Sequence, residues 1–420
     1  AYQLRWHRFR PGWLSASDCV LQLTKNQKAV LPSGFFMERA QALSGCLMMR
    51  LRHMQTSKLL WCAVCQRCWQ AGLRLWGAAV CLWSAGMAQA QSVVFINPGM
   101  SDEIFWTSAS DAMRKAADSL GMQLQVVTVE RDRLKPMEVA QSLAQLPPQE
   151  RPDYVLFGNE YSVAPSVLKA LEGAGIQAFM AFSGIHEDLR PQVGFPRERF
   201  PFWLGSLESN AEDAGYRTAK ALIEAAQKHP QWRDEQGQWQ MLAIAGDRST
   251  PVSITRNQGM LRAVSEAGDS VKLMQQVYGE WRQDKAREQA AVLFQRYPQA
   301  RIVWSGNDVM ALGAMQAWQE QGGKPGQDAV FSGINTSAQA LEKLRQGELT
   351  AMAGGHFLAG AWAMVMLFDY HHGIDFADEG LEQKRPMFML FAASTSKRYE
   401  QRKGAGSKVR LDFRQFSKYL

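Results

Sequence analysis

From Gln91 onward the chain alternates short runs rich in β-branched and aromatic residues with amphipathic stretches, the order that a parallel α/β sheet requires. The apolar runs VVFIN (93–97), QLQVVTV (123–129), DYVLFG (153–158), IQAFMAFS (176–183), MLAIAG (241–246), VKLMQQVYG (271–279), RIVWSG (301–306) and DAVFSGI (328–334) predict strands. Between them Ala109, Met113, Ala116 and Leu120 recur at helical spacing, as do Val163, Val167 and Leu171, then Met260 and Val264, then Leu312, Met315 and Trp318 or Gln319. The roughly 310 residues of 91–402 exceed the usual single hydrophobic core, which predicts two domains.

An internal echo locates those domains. YVLFGNE (154–160) resembles IVWSGND (302–308), and each precedes a helix and then a strand ending in FSGI, at 182–185 and 331–334. Asn159 to Phe182 spans 23 positions and Asn307 to Phe331 spans 24. A polar corner, a helix and a strand end repeated at matching spacing predict two related βαβ lobes. Open α/β sheets bind ligands beyond the carboxyl ends of their strands. Two facing lobes would therefore bring Asn159 and Glu160 from one side, and Asn307 and Asp308 from the other, to one cleft. Asn and Asp are also favoured helix N-caps, so each corner has a purely structural reading as well.

Charge alters the picture only after the chain is divided. The whole carries a formal +7 with a pI near 9.1, which by itself suggests nucleic acid or an anionic membrane as partner. Residues 1–90 hold 11 Lys and Arg against Asp18 and Glu38, a net of +9, leaving 36 basic and 38 acidic groups, or −2, for the remainder. The segment from Lys403 adds five basic residues and Asp412, so residues 91–402 stand at −6. A mildly acidic body gives no reason to expect nucleic acid. All six cysteines (Cys19, Cys46, Cys62, Cys65, Cys68 and Cys81) also precede residue 91, so the body can build neither a disulfide framework nor a thiolate metal site. CAVCQRC (62–68) lacks a fourth ligand at suitable spacing for a cluster. No metal and no cofactor is expected.

The boundary itself reads as an export signal. Leu75 to Ala88 is a run of 14 uncharged residues, preceded by Arg67 and Arg74 and followed by Ala88-Gln89-Ala90, a small-x-small cleavage pattern. This predicts a signal peptide over 48–90, cleaved after Ala90, and a periplasmic location. The run is shorter than the roughly 18 to 20 residues that span a bilayer, so a retained anchor is the weaker alternative. LSGC, ending at Cys46, has the look of a lipidation site but follows no apolar run. Residues 1–47 lack periodicity and are expected to lie upstream of the natural start, with Met48, Met49 or Met54 as candidate starts.

Beyond the leader, the body resembles the periplasmic sugar-binding proteins of the ribose and galactose type, the substrate receptors of ABC importers. The resemblance covers nearly all of 92–396. It is carried by FWTSASDAMRKAADSLG (105–121), SLESNAEDAGYRTAKAL (206–222), ITRNQGMLRAV (254–264), YPQARIVWSGNDVMALGAMQAW (297–318) and FSGINTSAQALEKLRQGELTAMA (331–353). It implies two Rossmann-like lobes, each a parallel sheet flanked by helices, joined by three crossovers and closing on a sugar. The expected first lobe is 91–182 plus 335–374, the second 183–334 plus 375–398, with a basic tail over 399–420.

Carried over residue by residue, the resemblance puts Phe105 and Trp106 at the family's paired aromatics and Trp281 at an aromatic of the opposing lobe. Flat rings suit the C–H face of a sugar because they bury apolar area while leaving hydroxyls free at the ring edge. Arg256 matches a hydroxyl-binding arginine whose fork can hold two oxygens, and Asn307 matches an amide that donates and accepts together. Three positions depart from the pattern: Glu103 stands where Asn is common, Asn335 where Asp is common at the second hinge, and His356 near the third crossover where an amide is frequent. A common hexose or ribose is therefore not assumed. Each residue also has a structural reading, Trp106 and Trp281 as core aromatics, Arg256 as one half of a surface ion pair, and His356 as a packed histidine.

The implied function is capture of a sugar or polyol and its delivery to an ABC permease by a monomer. The alternative is a sensory role like that of autoinducer-2 receptors, whose first strand and loop INPGMSDEIFW (96–106) also resembles, with a membrane sensor as partner. A repressor of the lactose-repressor family is disfavoured because a signal peptide stands where its DNA-binding helices belong. The body has five histidines, no G-x-S-x-G elbow and no H-E-x-x-H, and the pair His371-His372 reads as a helix end. No catalytic residue is expected.

Overall fold

The computed structural model describes residues 90–396 and 411–420. The segment 1–47, the expected leader apart from its last residue, and the start of the expected tail lie outside the described residues. In chain order the strands are β1 (Ser92–Asn97), β2 (Gln123–Thr128), β3 (Tyr154–Phe157), β4 (Gln177–Phe182), β5 (Trp203–Ser209), β6 (Trp239–Ala245), β7 (Val271–Tyr278), β8 (Ile302–Ser305), β9 (Val330–Ile334), β10 (Ala351–Gly354), β11 (Glu382–Arg385) and β12 (Met389–Phe391). The helices are α1 (Ile104–Leu120), α2 (Lys135–Gln145), α3 (Ala164–Glu172), α4 (Arg190–Val193), α5 (Ala211–Ala226), α6 (Pro251–Ala267), α7 (Gln283–Arg296), α8 (Asp308–Glu320), α9 (Ala338–Arg345) and α10 (Ala359–His371).

Two six-stranded sheets result, in the orders β11-β5-β4-β3-β1-β2 and β12-β10-β9-β8-β6-β7. The first is parallel throughout, and in the second only β12 runs antiparallel, against β10. Inner strands such as β3, β8 and β9 are buried along their whole length, as expected for sheets covered by helices on both faces. This is the two-lobed α/β architecture expected from the sequence. The two orders coincide position by position, so β3 matches β8 and β4 matches β9. The echoed corners at Asn159 and Asn307 thus follow equivalent strands.

The lobe boundaries differ from the sequence expectation. β5 belongs to the first sheet and β10 to the second, so the chain first crosses after Ser209 instead of after Phe182, and next beyond Gly354 instead of at Asn335. The FSGI echo marks the ends of β4 and β9, one strand short of each crossing. β5 (WLGSLES) is rich in Gly and Ser and β10 (AMAG) has only four residues, so neither announces itself by apolar alternation. β11, with the sequence EQKR, returns to the first sheet before the chain crosses a last time to β12, so 375–398 is not wholly in the second lobe. Its charges suit a sheet edge.

The expected basic tail is not merely basic. Leu411, Phe413 and Phe416 are buried. Phe413 and Phe416 pack their rings against Trp362 of α10, and Asp369 accepts from the backbone N–H of Lys418 at 2.9 Å. The three apolar residues anchor the last ten residues to the first lobe.

One contact in the second lobe sets the position of α6. A Cβ added at Gly215 would stand 2.0 Å from the carbonyl oxygen of Arg256, and one added at Gly259 would stand 2.0 Å from that of Glu212. Glycine on both helices lets α5 and α6 approach backbone to backbone, which fixes the turn that carries Arg256.

Candidate ligand-binding site

The carboxyl ends of both sheets face a cavity, partly open to solvent, with about 410 Å³ of empty space, open solvent included, lined by Glu103, Phe105, Trp106, Arg131, Glu160, Phe182, Val252, Arg256, Trp281, Asn307, Asn335 and His356. A second opening, of about 450 Å³, shares Glu103, Phe105, Asn307, Asn335 and His356 and adds Asp308. Nine of the eleven residues singled out in the sequence therefore meet at one cavity, and Asp308 lines its neighbour. Above them the rims touch: Tyr161 N–H donates to Thr250 Oγ1 at 3.2 Å and Ser162 Oγ donates to the Ser249 carbonyl at 3.0 Å. These bonds join the first lobe to the second.

Asn159 is the exception. It is fully buried, its Oδ1 accepts from Ala164 N–H and its Nδ2 donates to the Gly184 carbonyl, both at 2.9 Å. Both ends of the amide are occupied inside the lobe, so the structural reading holds and Asn159 is not a lining residue. Asn307 divides its roles. Oδ1 caps α8 by accepting from Met310 N–H at 2.9 Å, while Nδ2 has only a long contact of 3.5 Å to the Trp281 carbonyl. The carboxylate of Asp308 accepts from Val309 N–H, Ser337 N–H and Asn335 Nδ2. It ties the loop after β9 to the start of α8, and burial raises its pKa against those hydrogen bonds.

The aromatics form two groups. In the first lobe Phe105, Trp106 and Phe182 pack edge to face with centroids 4.9 to 6.1 Å apart, so Trp106 is as much core as lining. In the second lobe Trp281 is 8% exposed. Its Nε1 donates to Asp247 Oδ2 at 2.9 Å, and its ring lies on Gly246, where a Cβ would stand 2.2 Å from Cζ2. Only glycine at 246 leaves room for that ring.

Arg256 is not part of a surface ion pair. It is 4% exposed, its Nη1 donates to the Gly306 carbonyl at 2.7 Å, and its Nη2 lies 2.9 Å from His356 Nε2. Its Nε is buried without a partner, as is His356 Nδ1. Because Arg256 can only donate, His356 Nε2 must accept, which places the imidazole proton on Nδ1 as a second free donor. Burial, reinforced by the Arg256 charge, holds the His356 pKa well below the ordinary range and keeps the ring neutral. The ring stacks on Phe105 at 4.7 Å and packs on Phe388 at 4.3 Å. Burial likewise pulls the Arg256 pKa down to about 10 against the attraction of Glu160 and Asp308.

Glu160 faces these donors from the first lobe. Burial raises its pKa to about 8; Arg131 and Arg256 oppose the rise, and the like charges of Asp247 and Glu103 reinforce it. Between the ordinary 4.5 and about 8 the folded protein therefore keeps a proton that the unfolded chain has released. Stability from this group is present at acid pH and lost as pH rises through that window. Glu160→Gln imitates the protonated form, so its melting temperature should gain on that of the wild type between pH 6.5 and 8. Neutral His356 contributes its opposite slope only below its ordinary 6.5. Melting temperatures that run parallel over that range would mean that Glu160 is ionised in the fold.

Sequence reasoning missed Arg131, Phe182 and Asp247. Arg131 donates through Nε and Nη2 to both oxygens of Glu103, at 2.9 and 2.5 Å, and through Nη1 to Tyr161 Oη at 3.3 Å. VERDRLK (129–135) reads as a solvated charged turn. The available signal was its place after β2, matching that of GEWRQDK (279–285) after β7.

The fold, the facing rims and the cleft of rings and hydrogen-bonding groups define a two-lobed binding protein for a small polar molecule. The sequence profile of the periplasmic binding protein domain matches residues 93–373, and the chain belongs to that family. A periplasmic sugar-binding protein from Pseudomonas fluorescens is 38% identical, with a TM-score of 0.69 over 78% of this chain and 94% of that one. The D-apiose import binding protein of Actinobacillus succinogenes is 23% identical over 262 residues, 60% of this chain and 76% of that protein. A galactofuranose binding protein shares the fold at 18% identity, with a TM-score of 0.60 over 74% of this chain and 98% of that one. These relatives bind or import sugars, in agreement with the class expected from the sequence.

Proposed function

We propose that this protein, exported by a signal peptide cleaved after Ala90, works in the periplasm as a monomer that traps a sugar or sugar-like polyol and delivers it to an ABC permease. The observation that carries the reading is the convergence of Trp281, Phe105, Arg256, His356, Asn307 and Glu160 on one cavity between the lobes. A sugar ring offers an apolar C–H face to the rings. Its hydroxyls accept from Arg256 Nε, His356 Nδ1 and Asn307 Nδ2, and donate to Glu160, so Arg256 Nε and His356 Nδ1, otherwise buried without partners, become satisfied. Because ligand touches both lobes, it favours the closed arrangement. The kinship with a sugar-binding protein and an import binding protein supports transport, and no observation favours the sensory alternative.

A thermal-shift screen of the purified protein against monosaccharides, polyols and autoinducer-2 tests this. A sugar or polyol should raise the melting temperature by mass action. A response to autoinducer-2 alone would instead favour sensing, and no response to any sugar or polyol would remove the transport reading.

A further inference from the structure

We infer that Arg131 is a sugar-contacting residue that sets specificity from the first lobe, the counterpart of Trp281 in the second, and that Glu103 positions it. The inference rests on the reading of the cleft as a sugar site. It starts from the duplication of the fold: β2 and β7 occupy the same edge position in their sheets, each beside the first strand of its lobe. The turns that follow are built alike. Val129 N–H donates to the Asn97 carbonyl and Gly279 N–H to that of Ala245. Each turn then holds two successive non-glycine residues in the left-handed region, Glu130 and Arg131 at φ 52° and 57°, Glu280 and Trp281 at φ 52° and 63°. Such a pair is conformationally costly for L-residues and persists where the surroundings demand it. Here the result is the same in both lobes: the second residue of the pair is turned into the cavity.

Each of these side chains is also pinned by a carboxylate from the loop after the lobe's first strand. Glu103, after β1, holds Arg131 through two bonds, and Asp247, after β6, holds Trp281 through Nε1. Glu103 lies just before α1, yet its side chain caps no N–H of that helix; both its oxygens accept from Arg131, and Oε2 accepts besides only a longer bond from Met100 N–H at 3.3 Å. Its role is thus to aim the guanidinium. Of the five N–H groups of Arg131, two go to Glu103 and one to Tyr161, which leaves one on Nη1 and one on Nη2. Two donors on one rigid plane match a pair of adjacent hydroxyl oxygens. Trp281 reads the shape of a ring face, whereas Arg131 reads where hydroxyls stand.

Calorimetric titration of the full chain with D-apiose, D-ribose, L-arabinose and D-galactose, and with the monodeoxy forms of whichever binds, separates the possibilities. Arg131→Met should weaken binding about 30-fold, Arg131→Lys by less, and Glu103→Gln about fivefold, the scale of lost charge-assisted hydrogen bonds. The penalty of Arg131→Met should shrink to within about threefold on the monodeoxy sugar that lacks a contacted hydroxyl, a readout that a purely structural role would not move. A wild type that binds none of the four sugars and is stabilised by no other monosaccharide or polyol removes the sugar reading and this inference with it. A wild type that binds, with Arg131→Met within about threefold of it or with one penalty shared by every monodeoxy form, overturns the assignment of Arg131 alone.

Discussion

Arg256→Met is expected to weaken sugar binding about 10- to 150-fold while leaving the melting temperature within about 3 °C of the wild type. The two halves of that result have one physical origin. Arg256 is a buried cation whose polar neighbours, the Gly306 carbonyl and His356 Nε2, are uncharged, and no carboxylate of the described residues stands within ion-pair distance of it. Burial without a direct counter-charge is costly to the folded chain, and the depressed pKa of the guanidinium records that cost. Methionine keeps much of the volume and removes the charge. The loss of two hydrogen bonds is offset by relief from desolvation, and stability changes little. Binding has no such compensation. Ligand loses the Nε donor, and His356, no longer held at Nε2, is free to change tautomer or rotate, so its Nδ1 donor is lost as well. Calorimetric titration beside thermal melting reads both quantities. An affinity within about threefold of the wild type would show that the guanidinium serves the fold and not the ligand.

How much of this was legible in the sequence follows from what each residue does alone and what it does in company. Long buried strands such as β1, β4 and β6 announce themselves because helices on both faces demand continuous apolar runs. β5, β10, β11 and β12 are short, small-residue or charged, and their membership in a sheet depends on neighbours that only the three-dimensional order supplies. The two echoed corners were visible as a repeat. Whether each amide faces ligand or helix was not, since Asn159 turns both ends inward while Asn307 spends only its oxygen on the cap. Arg131 shows the limit most clearly. A basic residue amid VERDR is ordinarily solvated, and only a backbone turn shared with Trp281 and a carboxylate arriving from 28 positions upstream bring it into the cleft. The anchoring of the C-terminus was hidden in the same way, because net charge describes a segment without regard to Leu411, Phe413 and Phe416.

Trp281→Ala is expected to weaken sugar binding about 10- to 100-fold and also to lower the melting temperature, unlike Arg256→Met. The indole occupies the space left by Gly246 and is braced at Nε1 by Asp247, so it cannot drift when a sugar presses on its exposed face. Truncation to alanine removes the platform and also the packing on the glycine, leaving a cavity that nearby side chains fill only in part. Trp281→Phe separates the two effects. It retains a flat face while losing the bond to Asp247 Oδ2; Asp247 Oδ1 still accepts from Ser249 and Thr250, so one oxygen of the carboxylate keeps its partners. Phenylalanine should therefore recover most of the stability and all but about fivefold of the affinity. If phenylalanine restored stability without restoring affinity, the bond to Asp247 and not the ring face would govern recognition. If alanine bound sugar as the wild type does, the cleft would lack the aromatic wall on which the second lobe's share of binding depends.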